Sequence, residues 1–272
     1  MIQRFAHVPF QLQRKQPGMG SNLKHKWHEL RNTADAWQLR LNEISPSALQ
    51  KGCFSWLSIE EQAHCERFRS ERSRHEYLAA RALCRATLSR YTGVDPSHWR
   101  FGTSSHGKPK IIGPADFKSL RFNLTHTSGL VICLVSRAGE VGVDAEETSR
   151  LVDIAQVARH FLSRREQACL ENLPAHLRIA RFFEQWVLRE AYLKGIGRGI
   201  ALAPERFTVR LGENDQPLPI RNWQFFLCRP SSKHVAAAAV RQRRGAAPVS
   251  VRWLKADDLF LAGVPSKGIQ RR

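Results

Sequence analysis

The chain has 272 residues, of which 42% are hydrophobic and 25% charged, and this ordinary globular composition excludes a disordered, collagen-like or disulfide-only protein. Lysine and arginine (43) outnumber aspartate and glutamate (24), and the net charge of +19 favours a polyanionic partner: nucleic acid, anionic lipid, a phosphorylated small molecule or an acidic protein. The six cysteines show no metal-binding spacing, and the sequence shows neither an export signal nor an apolar stretch of membrane-spanning length. We therefore expect a reduced, cytoplasmic protein.

Strands and helices alternate along the chain after a basic leader at 1–25. The clearest helix boundaries are Ser58, which has Glu61 at the capping-box position, and Gly93, which follows a helical pattern. In chain order we predict a strand at 35–44, a helix after Ser58, a helix over 73–91, a strand near 107–111, a hairpin pattern through 122–126 and 130–135 that continues past a turn at 137–140 into 141–146, helices at 153–161, 163–173 and 178–194, and strands at 207–211, 223–227 and 235–240.

This order of elements indicates two α+β halves that meet near residue 140. We assign 26–139 to the N-terminal half, 140–245 to the C-terminal half and 246–272 to a basic C-terminal segment. The leader at 1–25 stays unassigned.

Two carboxylates alternate with apolar residues in the predicted strand 141–146. Because side chains alternate across a strand, Asp144 and Glu146 lie on one face and their apolar neighbours on the other. Such a pair suits a hard cation, and Mg²⁺ binds a few carboxylates together with phosphate oxygens and water. The competing interpretation is a strand end that emerges into solvent, since Glu147 makes three acidic residues in four.

The predicted helix 178–194 contains a second group of reactive side chains. Trp186, Glu190 and Lys194 are spaced by four residues and share one stripe of the helix surface. Glu190 is placed to complete a trio of carboxylates, and Lys194 to meet a phosphate near the metal. The alternative is an ordinary Glu–Lys pair, which stabilises a helix by only about 0.2–0.5 kcal/mol.

Other segments are suited to binding phosphate without identifying a ligand. Asn123, Thr125 and His126 stand at the end of a predicted strand, and Lys108 lies in a Gly-Lys-Pro turn. Seven arginines occur within residues 67–90, where a solvated basic helix face is the simpler interpretation and a phosphate-binding edge the functional one.

Four of these segments, taken in order, form a recognisable set. They are Gly107-Lys108-Pro109, Phe122-Asn123-Leu124-Thr125-His126, Gly142-Val143-Asp144-Ala145-Glu146 and Trp186-Val187-Leu188-Arg189-Glu190-Ala191-Tyr192-Leu193-Lys194. The set resembles the 4′-phosphopantetheinyl transferases of the surfactin-synthetase-associated type, whose signatures read GKP, FNxSH, G(I/V)D(I/V)E and WxxKEAxxK with similar gaps. The chain departs from them at Thr125, Ala145 and Arg189, where the family has serine, a larger aliphatic residue and lysine, so that no metal ligand is lost.

The resemblance implies an α+β fold, a pseudodimer of two similar α/β halves in which each half is a small antiparallel sheet packed on helices. Coenzyme A would lie in the cleft between the halves. The implied reaction transfers the phosphopantetheine arm of coenzyme A to a serine of an acyl or peptidyl carrier protein and releases adenosine 3′,5′-bisphosphate.

The resemblance also implies roles for individual residues. Asp144, Glu146 and Glu190 would hold Mg²⁺, with Mn²⁺ as the alternative, and Lys194 would stabilise the departing bisphosphate. Residues predicted to bind coenzyme A are Lys108, Asn123, Thr125, His126 and Lys194, with Arg74 and Arg81 as the choices for its 3′-phosphate.

Glu166 lies in a segment, Phe161-Leu162-Ser163-Arg164-Arg165-Glu166, that is similar to the family's FFSxxE. The resemblance makes Glu166 the base that accepts the serine proton, directly or through water. Its position three residues after Ser163 equally fits a capping-box glutamate, a purely structural role.

The implied partners are acidic carrier proteins, towards which the charge of +19 would steer encounter, and one chain would act as a monomer away from the membrane. Two alternatives stay open. A nucleic-acid-binding protein is suggested by the basic charge and by seven tryptophans able to stack on bases. A homologue that binds coenzyme A or a carrier without chemistry is the other.

Overall fold

A computed structural model describes residues 26–150, 153–197, 207–212, 215–243, 245–256 and 259. Its N-terminal half contains β1 (Thr33–Arg40), α1 (Pro46–Cys53), α2 (Ile59–Glu66), α3 (Glu71–Thr92), β2 (Arg100–Thr103), β3 (Pro109–Gly113), β4 (Arg121–Thr127) and β5 (Leu130–Ser136). The rest of the described chain contains β6 (Val141–Glu147), α4 (Ile154–Phe161), α5 (Arg164–Glu171), α6 (Ala175–Ile196), β7 (Trp223–Ser231), β8 (His234–Arg241) and β9 (Ser250–Lys255).

The N-terminal half is built on a four-stranded sheet with the order β4–β5–β1–β9. Every residue of β5 is buried, and this strand is antiparallel to both of its neighbours. Helix α3 packs against β5. It ends as predicted at Gly93, whose φ of 74° is the left-handed cap conformation that glycine adopts without strain.

The C-terminal half is a three-stranded antiparallel sheet, β6–β8–β7, covered by α6. The contact between β6 and α6 is very close. A Cβ atom on Gly142 would lie 1.9 Å from the carbonyl oxygen of Ala191 and 2.4 Å from the nitrogen of Gly195. Only glycine fits there, and this close approach holds the start of β6 against the last two turns of the helix.

The two halves meet where β4 lies beside β6, although the two strands belong to different sheets. Alternate side chains of β4 reach across. Asn123 Oδ1 accepts a hydrogen bond from the backbone nitrogen of Val143 (2.9 Å), and Thr127 Oγ1 accepts one from that of Glu147 (3.2 Å). Polar side chains therefore fix the position of β6 relative to the N-terminal half.

The mixed α/β architecture with small sheets packed on helices agrees with the predicted fold class, but β6 corrects the predicted strand pattern. The strand does not continue the β4–β5 hairpin. It pairs with β8, because β4 and β1 already occupy both edges of β5. The predicted strand at 207–211 is also wrong: residues 207–210 form no strand, and Leu211 makes only an isolated bridge to Pro217.

The basic C-terminal segment contributes a strand that the sequence analysis did not predict. β9 pairs in parallel with β1 and completes the sheet of the N-terminal half. Arg252 on this strand donates to both carboxylate oxygens of Asp35, which is buried in β1 (2.7 and 2.8 Å). The chain thus crosses into the C-terminal half and returns. No helix among the described residues has the length and apolarity needed to cross a membrane.

Candidate active site

Three elements bring a threonine, an aspartate and a lysine into one hydrogen-bonded cluster. Lys194, near the end of α6, donates to Asp144 Oδ1 on β6 (2.6 Å) and to Thr125 Oγ1 on β4 (3.0 Å). The Thr125 hydroxyl in turn donates to the same carboxylate oxygen (3.1 Å). We call this group the Asp144 cluster. It forms where the two halves meet, because β4 comes from one half and β6 and α6 from the other.

The second carboxylate oxygen of Asp144 has a different environment. The side chain is buried, yet no donor among the described residues reaches Oδ2. A buried polar atom without a partner costs stability, and native proteins rarely leave one. This oxygen is therefore available to a ligand that the protein does not itself contain, and a cation is the chemical class that a carboxylate oxygen binds.

Two more carboxylates lie close enough to Asp144 to interact with its charge. Burial raises the pKa of Asp144 above its ordinary value, although Lys194 opposes the shift. Burial and the charge of Asp144 raise the pKa of Glu146 and that of Glu190. Mutual repulsion in a partly buried site is relieved by a proton or by a cation, so the charge arrangement fits a metal-binding site.

The carboxylates do not form a closed metal cage. Among the described residues, no three acidic, histidine or cysteine side chains converge closely enough to hold a metal ion by themselves. Mg²⁺ does not require such a cage, since it is commonly held by one or two carboxylates and completes its shell with phosphate oxygens and water. The residues thus fit a metal that is bound together with a phosphorylated ligand.

Lys108, predicted to contact coenzyme A, is engaged by the protein. Its ammonium donates to Glu140 Oε2 (2.8 Å) and to the backbone oxygens of Val141 (3.1 Å) and Gly195 (2.7 Å). Burial lowers the pKa of this lysine. Glu140, which our sequence analysis placed in a turn and gave no role, also accepts from Arg121 Nε (2.6 Å). A charged residue directly before the carboxylate strand was the signal that could have identified it.

The other predicted coenzyme contacts on β4 differ in what they touch. Asn123 is buried, and its side-chain oxygen accepts a hydrogen bond from the backbone nitrogen of Val143. Thr125 belongs to the Asp144 cluster. His126 is exposed, since it points away from the face that Asn123 and Thr125 share.

The arginine-rich segment is neither a uniform solvated face nor a uniform phosphate-binding edge. Arg85 is almost fully buried, where it pairs with Glu61 and donates to the backbone oxygens of Pro96 and Trp99. Arg81 lies 3.6 Å from the same glutamate. Two of the seven arginines therefore anchor Glu61 of the α2 capping box.

Arg74 lies elsewhere on α3. It donates to the backbone oxygen of Phe68 (3.1 Å) and lines a cavity of about 480 Å³ between α1 and the start of α3. Neither Arg74 nor Arg81 touches the Asp144 cluster. Their assignment to the 3′-phosphate stays a prediction.

Glu166 is one of the most heavily bonded side chains of the C-terminal half. The capping box with Ser163 is present, as the structural interpretation of this glutamate predicted. Glu166 Oε2 accepts from the nitrogen (2.8 Å) and hydroxyl (2.7 Å) of Ser163 and from Arg189 Nη2 (2.6 Å), while Oε1 accepts from the nitrogen of Val209 (2.9 Å). Arg189 also donates to the backbone oxygen of Phe207 (2.6 Å).

Arg189, which stands where the family signature has lysine, therefore has a defined partner in the fold. Arg189 and Glu166 are both buried, and their ion pair joins α6 to the N-terminus of α5. The base role of Glu166 stays a prediction.

Both halves of the chain match models of known families. Residues 45–138 match the model described as 4′-phosphopantetheinyl transferase, N-terminal, and residues 140–247 match the 4′-phosphopantetheinyl transferase superfamily. These matches define a transferase.

Individual relatives agree with the family models. The 4′-phosphopantetheinyl transferase HetI of Nostoc sp. is 31% identical over 229 residues, which cover 80% of this chain and 94% of the relative. The 4′-phosphopantetheinyl transferase Sfp of Bacillus subtilis is 30% identical over 162 residues, or 60% of this chain and 70% of the relative. A phosphopantetheinyl transferase of Thraustochytrium sp. is 29% identical over 191 residues, 66% of each chain. The chain belongs to the 4′-phosphopantetheinyl transferase superfamily and is an enzyme of that class.

Proposed function

We propose that this enzyme is of the surfactin-synthetase-associated type and transfers the 4′-phosphopantetheine arm of coenzyme A to a serine of a carrier protein. The observation that supports this most directly is the Asp144 cluster: a buried carboxylate with one oxygen held by Lys194 and the other without a protein donor among the described residues. A cation bound at that oxygen and the ammonium of Lys194 would both face a pyrophosphate. The membership of the superfamily supplies the reaction class.

In the reaction, the serine oxygen forms a bond to the phosphorus that carries pantetheine, and the bond from that phosphorus to the bridging oxygen breaks. The electron pair leaves on adenosine 3′,5′-bisphosphate, and the serine proton passes to a base. We assign Asp144, Glu146 and Glu190 to Mg²⁺, with Mn²⁺ as the alternative. The metal would neutralise charge on the pyrophosphate.

The protein's own groups orient and balance the charges. Lys194 is fixed by hydrogen bonds to Asp144 and Thr125. One third of its side chain is still exposed, so the ammonium can also contact the departing bisphosphate. An ammonium held in place before substrate arrives stabilises developing negative charge without first having to reorganise. Thr125 keeps the hydroxyl that serine provides in the family signature and uses it to align the pair.

Glu166 is the predicted base, and its hydrogen bonds define what that role would require. The carboxylate would have to accept a proton while it also holds Arg189, Ser163 and Val209. Its capping role stands beside that prediction. For the nucleotide end of coenzyme A we propose His126, which is exposed on the face of β4 opposite to that of Thr125.

An acidic carrier protein or carrier domain is the proposed acceptor, because a net charge of +19 would attract it over long range. We also propose that one chain suffices, since both strands that frame the Asp144 cluster come from the same molecule. The competing nucleic-acid-binding hypothesis depends on accessible tryptophans. Four of the seven, Trp37, Trp56, Trp99 and Trp223, are buried in the cores and cannot stack on bases.

The test is intact-protein mass spectrometry of an apo acyl or peptidyl carrier protein incubated with this enzyme, coenzyme A and Mg²⁺. We expect the mass of one phosphopantetheine arm to be added to the carrier. The addition should be lost with EDTA and with a carrier in which the acceptor serine is replaced by alanine. Absence of the added mass across several carriers of fatty-acid, polyketide and peptide synthesis, with the enzyme folded, would contradict the proposed activity and favour the homologue without chemistry.

A further inference from the structure

The ammonium of Lys108 makes so many contacts with the protein that no donor is left for coenzyme A. A lysine ammonium has three N–H donors. Here the nitrogen lies within hydrogen-bond distance of three oxygens: Glu140 Oε2 at 2.8 Å, the backbone oxygen of Val141 at 3.1 Å and that of Gly195 at 2.7 Å. Only 13% of the side chain is exposed. Each donor has a protein acceptor, so a phosphate could be bound only by giving one of them up.

The two backbone acceptors lie on β6 and α6, two of the three elements that form the Asp144 cluster. Gly195 directly follows Lys194 on α6, and Val141 precedes Asp144 by three residues on β6. The last carbonyls of a helix have no partner within the helix and lie at the negative end of its dipole. A cation there both donates hydrogen bonds to these carbonyls and is attracted by the dipole. Lys108 thus caps α6 from the opposite half of the molecule.

The stem of the lysine is packed as well as its ammonium. α6 ends at Gly197, whose φ of 69° is left-handed, and a Cβ atom there would lie 3.2 Å from Lys108 Cδ. The stem therefore rests on the cap of the helix. Glu140 supplies the matching charge: burial opposes its ionisation, but hydrogen bonds with Lys108 and Arg121 hold the pKa of this carboxyl below its ordinary value.

We propose that Lys108 is a positioning residue that fixes the end of α6, with Lys194, against the start of β6, with Asp144, and that its ammonium does not bind coenzyme A. The inference rests on the proposed function, because it assigns Lys108 a role in shaping that site. It differs from the role that the Gly-Lys-Pro resemblance implies. A single nitrogen that joins both elements across the boundary between the halves holds the cluster at its working separation.

The experiment compares Lys108→Arg and Lys108→Met with wild type, by kcat and KM for coenzyme A and by calorimetric titration with coenzyme A alone. Arginine binds phosphate at least as well as lysine, but its donors lie in a plane and cannot converge from one point on three oxygens. Positioning therefore predicts that both variants lower kcat about tenfold, the usual cost of losing an orienting partner, while KM and Kd for coenzyme A change by less than about twofold. Lys110→Met is the control, because Lys110 is an exposed lysine on the same hairpin and should behave as wild type.

A direct contact with coenzyme A predicts the opposite pattern. Lys108→Met would then raise KM and Kd about tenfold or more with kcat kept, and Lys108→Arg would restore both. That result would overturn the proposal.

Glu140→Ala adds an independent measurement that does not depend on how well a Lys108 variant folds. Positioning predicts a lower kcat with unchanged affinity for coenzyme A, and in the Lys108→Met background little further loss, because the two residues act through one contact. A freed ammonium that instead tightens coenzyme A binding in Glu140→Ala would contradict the proposal. Turnover of wild type with a carrier tests the proposed function separately: if wild type is inactive, that function fails, and the titrations with coenzyme A still decide the role of Lys108.

Discussion

In the C-terminal half, two buried carboxylates are each paired with a cation, and the hydrogen-bonding capacity of the two carboxylates is filled to different degrees. Glu166 and Arg189 form a pair in which four hydrogen bonds reach the carboxylate, on both of its oxygens. Asp144 and Lys194 form a pair in which one oxygen takes two donors and the other takes none from the described residues. The Glu166 carboxylate therefore has protein donors on both oxygens, whereas within the described chain the Asp144 carboxylate has them on one oxygen only.

The difference shows how the same chemical groups serve structure or reactivity. A buried ion pair contributes to a stable fold only when its remaining hydrogen-bonding capacity is filled. An open oxygen in a buried site stores unfavourable free energy that a bound cation can release. The comparison therefore predicts that changes at Asp144 affect activity first and changes at Glu166 or Arg189 affect stability first.

The largest effect is expected from Asp144→Asn. The amide keeps the size of the side chain but removes the charge that would bind the metal and hold Lys194, so turnover should fall roughly 100-fold or more while the fold persists. The measurement is carrier loading by mass spectrometry together with circular dichroism. Glu147→Gln is the matched control on the same strand, since Glu147 lies outside the cluster and its variant should load carrier at the wild-type rate. Comparable rates for both variants would refute the metal assignment.

The next largest effect is expected on stability, at the pair of Glu166 and Arg189. Arg189→Met should leave the buried Glu166 uncompensated and lower the free energy of unfolding by about 3–5 kcal/mol, as breaking a buried ion pair does. Thermal unfolding monitored by circular dichroism measures it. An unfolding temperature equal to that of wild type would show that this pair does not join the helices as its geometry indicates.

Glu166→Gln separates the structural role of this residue from the predicted catalytic one. If Glu166 only anchors, the variant should unfold at a lower temperature and its folded fraction should turn over at close to the wild-type rate. If Glu166 is the base, turnover per folded molecule should fall by about 100-fold or more. The ratio of kcat to folded fraction distinguishes the two outcomes.

Glu190→Gln should change stability by a smaller amount than Arg189→Met, and in the opposite direction. In the absence of metal we expect this variant to be more stable than wild type. The pKa of Glu190 is raised by burial and by Asp144, so the folded protein takes up its proton at a higher pH than the unfolded chain does. Above the raised pKa the charge costs stability. That cost disappears as the pH falls towards about 4.3, the ordinary glutamate value.

The variant should therefore have a higher unfolding temperature than wild type at pH 7 to 8 in EDTA, and the gap should close on acidification. It should also be inactive with Mg²⁺. A variant that is less stable than wild type at neutral pH would contradict the repulsion on which the metal site depends.

The smallest effect on turnover is expected at Thr125, whose hydroxyl aligns Asp144 and Lys194. Thr125→Val should reduce kcat by about tenfold, whereas Thr125→Ser keeps the hydroxyl and should stay within about twofold of wild type. Equal rates for the valine and serine variants would show that the hydrogen bonds to Asp144 and Lys194 do not matter for turnover.

The sequence by itself determined much of the local structure and singled out Thr125, Asp144 and Lys194 as candidate site residues, but it did not predict that the three join in one hydrogen-bonded cluster. Ser58 and Glu61 form the predicted capping box and Gly93 the predicted cap, because these depend on neighbours within a few residues. The alternation in β6 and the spacing of four in α6 likewise fixed which face carries Asp144 and which carries Lys194.

Only the tertiary structure decided which distant groups those faces meet. The pairing of β6 with β8 and of β9 with β1 joins segments whose local patterns are equally compatible with other partners, since periodicity defines a face but not the strand beside it. The same holds for single atoms: the ammonium of Lys108 bonds to residues 140, 141 and 195 because the fold brings those oxygens to it. A motif names the reactive groups, and long-range packing determines whether each one is free to react or is already held.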